Sequence, residues 1–125
     1  MKFHHIGIAT DNIENMIEEL KSIFVIKSVS EKVFDDKQNA YLCMVTVEDG
    51  FDIELISGLI VENLIKKRQF LYHVCYQVED IDSQINRLIE NGGILISEPK
   101  NAILFGGKKV AFLSTNMGLV ELVEE

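Results

Sequence analysis

"FHHIGIAT" occupies residues 3–10, and "LYHVCYQV" occupies residues 71–78. Each alternates in the manner of a strand, and each leads into a stretch with helical spacing. His73 follows His5 at an offset of 68 residues. At that offset Ile6 meets Val74, Ile13 meets Ile81, Ile17 meets Ile85 and Leu20 meets Leu88. "IEL" at 53–55 meets "VEL" at 120–122 at an offset of 67, so one gap spans the whole match. The chain reads as an internal duplication, which has to be recognised before single motifs are weighed.

Around these anchors the pattern is βαβββ, twice. Ile13, Met16, Ile17, Leu20, Ile23 and Phe24 predict a first helix, with Asp11 and Glu14 as a capping-box-like start. Strands are predicted at 29–35, 39–48 and 51–57, and a short connecting helix at 58–69. The second half repeats the order. A strand is predicted at 71–79 and a helix at 81–91 with Ile81, Ile85, Leu88 and Ile89 as its stripe, ended by Gly92–Gly93. Strands at 94–99, 108–115 and 118–124 complete it. The expected fold is α+β, with paired βαβββ modules forming a U-shaped mixed sheet around a central cavity. It forms one domain over 1–125, with modules at 1–57 and 71–125 and a linker at 58–70.

Alternation sorts the strand side chains onto two faces. In the first strand Phe3, His5, Gly7 and Ala9 share one face, and His4, Ile6 and Ile8 share the other. In its counterpart Leu71, His73, Cys75 and Gln77 oppose Tyr72, Val74, Tyr76 and Val78. The apolar faces should pack on the helices, which leaves His5 and His73 on the concave side. Glu54 and Glu121, each between apolar neighbours, face the same way. Two imidazoles and two carboxylates at equivalent places suit a divalent transition metal with positions left for water or substrate. A carboxylate among apolar residues is costly to bury without a positive partner, and a metal supplies one. His4 has Tyr72 as its counterpart on the wrong face and reads as structural; Cys75 reads as packing.

Composition narrows the function. With 47% hydrophobic residues and a single proline, 125 residues can bury a core. The net charge of −8 argues against nucleic acid and anionic membranes as partners. No run approaches a membrane span, and "MKFHHIG" lacks the apolar core of a signal peptide. Cys43 and Cys75 sit alone in apolar runs, as free thiols of a cytoplasmic protein do.

The pieces "HHIGIA" (4–9), "FDIELI" (51–56), "YHVCYQVEDID" (72–82) and "GLVELVEE" (118–125) together resemble the vicinal oxygen chelate superfamily over essentially the whole chain. That superfamily includes glyoxalase I, methylmalonyl-CoA epimerase, ring-cleaving dioxygenases and antibiotic-sequestering resistance proteins. The resemblance places His5, Glu54, His73 and Glu121 at the four metal-ligand positions. A His, Glu, His, Glu set is typical of glyoxalase I, whereas the epimerases usually have Gln where Glu54 stands. The resemblance implies a lyase or isomerase of the glyoxalase I (lactoylglutathione lyase) type, with an epimerase-like isomerase or a non-catalytic small-molecule binder as alternatives. Its short chain resembles the nickel- or cobalt-activated enzymes, with zinc as the other candidate. The implied chemistry is proton transfer next to a carbonyl of a 2-oxo compound or thioester. Glu121 is preferred as the base over Glu54, and a homodimer is expected. Three features depart from the pattern, one being "STNMG" (114–118) in the loop before the last strand, where the family usually reads like "DPDG". Ala9 stands where glutathione-dependent enzymes carry Arg, and the catalytic Glu of the epimerases falls near Leu42.

Overall fold

The computed structural model describes all 125 residues, Met1–Glu125. Its order is β1 (Lys2–Ala9), α1 (Ile13–Ile23), β2 (Ile26–Val29), β3 (Val33–Asp35), β4 (Ala40–Val47) and β5 (Asp52–Gly58). A 3-10 turn (Leu59–Val61) and α2 (Glu62–Lys66) lead to β6 (Leu71–Val78) and α3 (Ile81–Glu90). Then come β7 (Ile94–Asn101), a second 3-10 turn (Ile103–Phe105), β8 (Lys109–Thr115) and β9 (Gly118–Glu124). The α+β class and the βαβββ order expected from the sequence are both found. The chain divides into two compact units, His5–Tyr72 and Met1–His4 with His73–Glu125.

In the unit His5–Tyr72, β1 runs parallel to β5, β4 lies antiparallel to β5, and both β2 and β3 pair with β4. Ile13 and Leu20 of α1 pack on Cys43, Val45 and Val47 of β4 and on Ile53 and Leu55 of β5, with Ile6 and Ile8 alongside. In the other unit β6 runs parallel to β9, and β8 lies between β9 and β7 with antiparallel pairing to both. There Ile81 and Ile85 of α3 pack on Ala111, Leu113, Val120 and Leu122, with Tyr76, Leu88 and Leu95 beside them. The two cores correspond position by position: Ile13 with Ile81, Cys43 with Ala111, Val45 with Leu113, Ile53 with Val120 and Leu55 with Leu122. Duplication is thus written into the packing as well as the sequence.

Four local expectations are corrected. The cap of α1 is Asn12, whose side chain accepts from the Asn15 N–H at 2.9 Å, while Glu14 reaches Lys32. Asn12 wins over Asp11 because Thr10 Oγ1 accepts from the Asn12 N–H at 3.2 Å and holds it at the helix mouth. The predicted strand at 29–35 is split into β2 and β3. The Ser30 hydroxyl accepts from the Met44 N–H and the Ser30 N–H donates to the Met44 carbonyl, both at 2.8 Å, so the ladder is interrupted there. The connecting helix is only Glu62–Lys66, ending before Arg68, which adopts a left-handed φ of 56°. Ile23 and Ile89, placed in the helical stripes, lie at the last turns and are 67% and 44% exposed.

No helix is long and apolar enough to cross a membrane. Cys43 and Cys75 are both buried free thiols. Burial pushes the Cys43 thiol up from its ordinary pKa, against a smaller opposing effect of its hydrogen bond to Ser30. It should therefore react slowly with an alkylating reagent in native buffer and at the ordinary thiol rate after unfolding.

Cap replacement tests the α1 boundary. Asn12→Ala should cost about 1 kcal/mol in urea unfolding, and Asp11→Ala less than about 0.5 kcal/mol. The reverse order would restore Asp11 as the cap.

Candidate metal centre

Each βαβββ unit returns its last strand beside its first, and this places the candidate ligands. In the parallel β1–β5 pair, Gly7 stands opposite Glu54, and His5 precedes Gly7 by two residues on the same face. The His5 Nε2 is 3.3 Å from Glu54 Oε1. In the parallel β6–β9 pair, Cys75 stands opposite Glu121, and His73 precedes Cys75 by two. The His73 Nε2 is 3.1 Å from Glu121 Oε1. The structure therefore forms two such pairs, one in each unit and built by the same register.

Burial is nearly complete: His5 is 0% exposed, His73 and Glu121 2%, and Glu54 3%. It follows from the alternation, because Ile53, Leu55, Val120 and Leu122 commit the other strand faces to the helices. A buried carboxylate is tolerated only with strong partners. An imidazole nitrogen within hydrogen-bond reach is one such partner, and together they form the nitrogen and oxygen donor set that zinc, nickel, cobalt and manganese accept. The residues present fit a divalent metal on chemistry and on burial.

Antiparallel register supplies neighbours that strand alternation in the sequence cannot reveal. Met44 of β4 stands opposite Glu54, and Phe112 of β8 stands opposite Glu121. The Phe112 ring lies edge-on to His73 at 5.3 Å between centroids. These two residues obey the same offset of 68, and that was the only sequence signal for them. Leu42, where the resemblance puts the catalytic Glu of the epimerases, is 2% exposed and stands opposite Ile56. Ala9 is buried, and its N–H donates to the Phe70 carbonyl at 2.8 Å.

The remaining candidates take structural roles. His4 is half-buried with its ring edge-on to Phe105 at 5.6 Å. Cys75 packs with Ala102, Val110 and Val123.

A sequence profile described as the Glyoxalase/Bleomycin resistance protein/Dioxygenase superfamily matches residues 4–112. The mitochondrial methylmalonyl-CoA epimerase of Dictyostelium discoideum is 32% identical over 133 residues, covering 99% of this chain and 78% of that protein. Among solved structures, methylmalonyl-CoA epimerase from Mycobacterium tuberculosis superposes with a TM-score of 0.82 at 21% identity, over 98% of this chain and 87% of that one. Glyoxalase I from Zea mays superposes with a TM-score of 0.64 at 20% identity, over 98% of this chain but 42% of that one.

Glu121→Gln tests whether the carboxylate belongs to function or to folding. It keeps the volume and one acceptor for His73 and removes a buried charge. In metal-free protein its urea midpoint should equal or exceed that of the unsubstituted chain. A loss above about 1 kcal/mol would make the carboxylate itself a folding requirement.

Proposed function

The chain belongs to the Glyoxalase/Bleomycin resistance protein/Dioxygenase superfamily, and from that membership we propose that it is a metal-dependent isomerase of the methylmalonyl-CoA epimerase type. The observation that carries the reading is the buried His–Glu pair repeated in equivalent register in each unit. On this reading the residues that would supply donors to a divalent metal are His5, Glu54, His73 and Glu121. The glyoxalase I-type expectation gives way because a relative similar along nearly this whole chain is named an epimerase. The Zea mays glyoxalase I is matched over less than half its length and supports the fold alone.

The chemistry is proton transfer at the carbon next to a thioester carbonyl. Such a carbon is weakly acidic because the carbanion places charge on the carbonyl oxygen. A bound divalent metal would supply Lewis acidity for that charge. The protein must supply a base within reach of the C–H bond and a route for the proton back to the other side. Glu121 is the base in this proposal. Epimerisation needs a second proton-handling group, and Leu42 cannot provide it. Glu54, standing where epimerases usually have Gln, gives the chain a second carboxylate. The apolar surroundings of both pairs keep bulk water from quenching the carbanion indiscriminately.

A glyoxalase-type lyase is the second reading, favoured by the carboxylate at position 54. It differs in returning the proton to the neighbouring carbon. A homodimer and a cytoplasmic location, the latter consistent with free buried thiols, complete the proposal.

The deciding assay places metal-loaded protein with methylmalonyl-CoA in D2O and follows exchange and inversion at carbon 2 by NMR. The hemithioacetal of methylglyoxal and glutathione is assayed in parallel. Inversion of the CoA thioester without lyase turnover supports the epimerase reading, and the opposite result supports the lyase.

Metal content of purified variants tests the ligand set. His5→Ala and His73→Ala should each lose most bound nickel, cobalt or zinc, whereas His4→Ala should retain it. The inverse pattern would shift the ligands to the other strand face.

Turnover separates the carboxylates. Glu121→Gln should lower kcat by about two to four orders of magnitude. Glu54→Gln should also lose inversion, and adding Leu42→Glu to it, which recreates the epimerase arrangement, should recover part of the rate. Full activity of Glu54→Gln alone would remove Glu54 from proton transfer.

A further inference from the structure

The chain has 20 acidic and 12 basic residues, yet residues 99–120 hold three lysines and no acid. Lys100, Lys108 and Lys109 flank the 3-10 turn that joins β7 to β8, and all three are exposed. The ladder fixes which way they project. Lys100 stands opposite Val110, and Asn101 stands opposite Lys109. The Ala102 N–H donates to the Lys108 carbonyl at 2.9 Å, which extends the pairing by one rung. Directly opposed residues project from the same face, and successive residues alternate.

Val110 and Ala102 pack with Cys75 and Val123. Phe112, two residues beyond Val110, stands opposite Glu121 and against His73. Lys100 and Lys108 therefore rise from the face that carries the His73–Glu121 pair, and Lys109 rises from the opposite face. Lys100 and Lys108 are diagonal neighbours across the hairpin, about 7–8 Å apart along the backbone diagonal. Like charges at this separation repel one another, and neither lysine forms an ion pair within the protein. Gly106 and Gly107, at φ of 66° and 82°, turn the chain between them, and open space surrounds both. The arrangement is complementary to a polyanion lying over a bare turn.

Distance along the strand narrows the ligand. Lys108 and Phe112 are separated by four residues, about 13 Å of extended chain. The lysine stems are thus rooted well along the strand from Phe112, the residue opposite Glu121. A carboxylate or phosphate near the reacting carbon is too close, whereas phosphates at the end of a long flexible arm fit. We propose that Lys100 and Lys108 clamp the phosphates of the nucleotide end of an acyl-CoA substrate. The proposal rests on the epimerase reading and gives that site its handle for the substrate's tail.

The test compares the double variant Lys100→Gln/Lys108→Gln with Lys109→Gln, which makes a charge change on the opposite face. Metal-loaded proteins are assayed with methylmalonyl-CoA and with the methylmalonyl thioester of pantetheine, which lacks the nucleotide. The double variant should raise KM for the CoA thioester at least about tenfold, with kcat within twofold of the unsubstituted chain. Its kinetics with the pantetheine thioester should be unchanged, and Lys109→Gln should behave as the unsubstituted chain does. An unchanged KM in the double variant, or an equal rise in Lys109→Gln, overturns the clamp and leaves the epimerase reading standing. If neither thioester turns over, titration with adenosine 3′,5′-bisphosphate decides the matter alone. Binding that weakens with salt and is lost in the double variant supports the clamp. No binding to the unsubstituted chain overturns it.

Discussion

A carboxylate buried between apolar strand neighbours is expensive, and each unit sets one beside an imidazole, Glu54 with His5 and Glu121 with His73. Transfer of an ionised carboxylate out of water costs several kcal/mol even after relaxation. Nothing in the packing of α1 or α3 requires that expense, since the helices touch only the opposite strand faces. An imidazole 3.3 Å away from Glu54 and another 3.1 Å from Glu121 offset part of it. Well-packed apolar residues of similar volume in place of a buried ion pair are often at least as stable. The proposed metal accounts for the pairs better than any contribution to folding does.

The βαβββ order makes such a pair easy to build. A parallel connection needs a crossover element of a dozen or so residues, and α1 and α3 serve as those crossovers. The last strand of each unit then returns beside the first, in a register that sets Gly7 against Glu54 and Cys75 against Glu121. One member of each pair comes from the first strand and one from the last. Duplicating the unit duplicates the pair without inventing any new geometry.

The sequence carried much of this because alternation and duplication are local and arithmetical. The faces of His5, His73, Glu54 and Glu121 followed from period two, and the apolar cores followed from the offset of 68. What it did not carry depends on partners distant along the chain. Two cap-forming residues stand side by side at 11 and 12, and only the Thr10 hydroxyl chooses between them. The break between β2 and β3 depends on Ser30 reaching Met44, which no pattern around 29–35 announces. Phe112 and Met44 became visible as neighbours of the carboxylates only through antiparallel register. Nor could the ligand types separate an epimerase from a lyase. The residues His, Glu, His and Glu point one way, and the similarity of the whole chain points the other.

The two His–Glu pairs match in register but not in surroundings, and on the proposed epimerase reading that difference bears on which carboxylate acts as the base. Within its own unit Glu54 stands between Gly7, which has no side chain, and Met44, whose unbranched thioether adapts readily. Glu121 stands between Cys75 and Phe112, and the Phe112 ring also abuts His73. An aromatic wall held on two sides allows few rotamers to its neighbours, because close packing converts any displacement into a clash. Glu121 is accordingly the better positioned of the two and Glu54 the freer. A base that must meet one C–H bond in one orientation gains from being fixed, since proximity and alignment lower the barrier before any chemistry occurs. A group that returns a proton to a short-lived carbanion gains from adaptability. On that reading duplication supplies two equal carboxylates, and the residues opposite them divide the work.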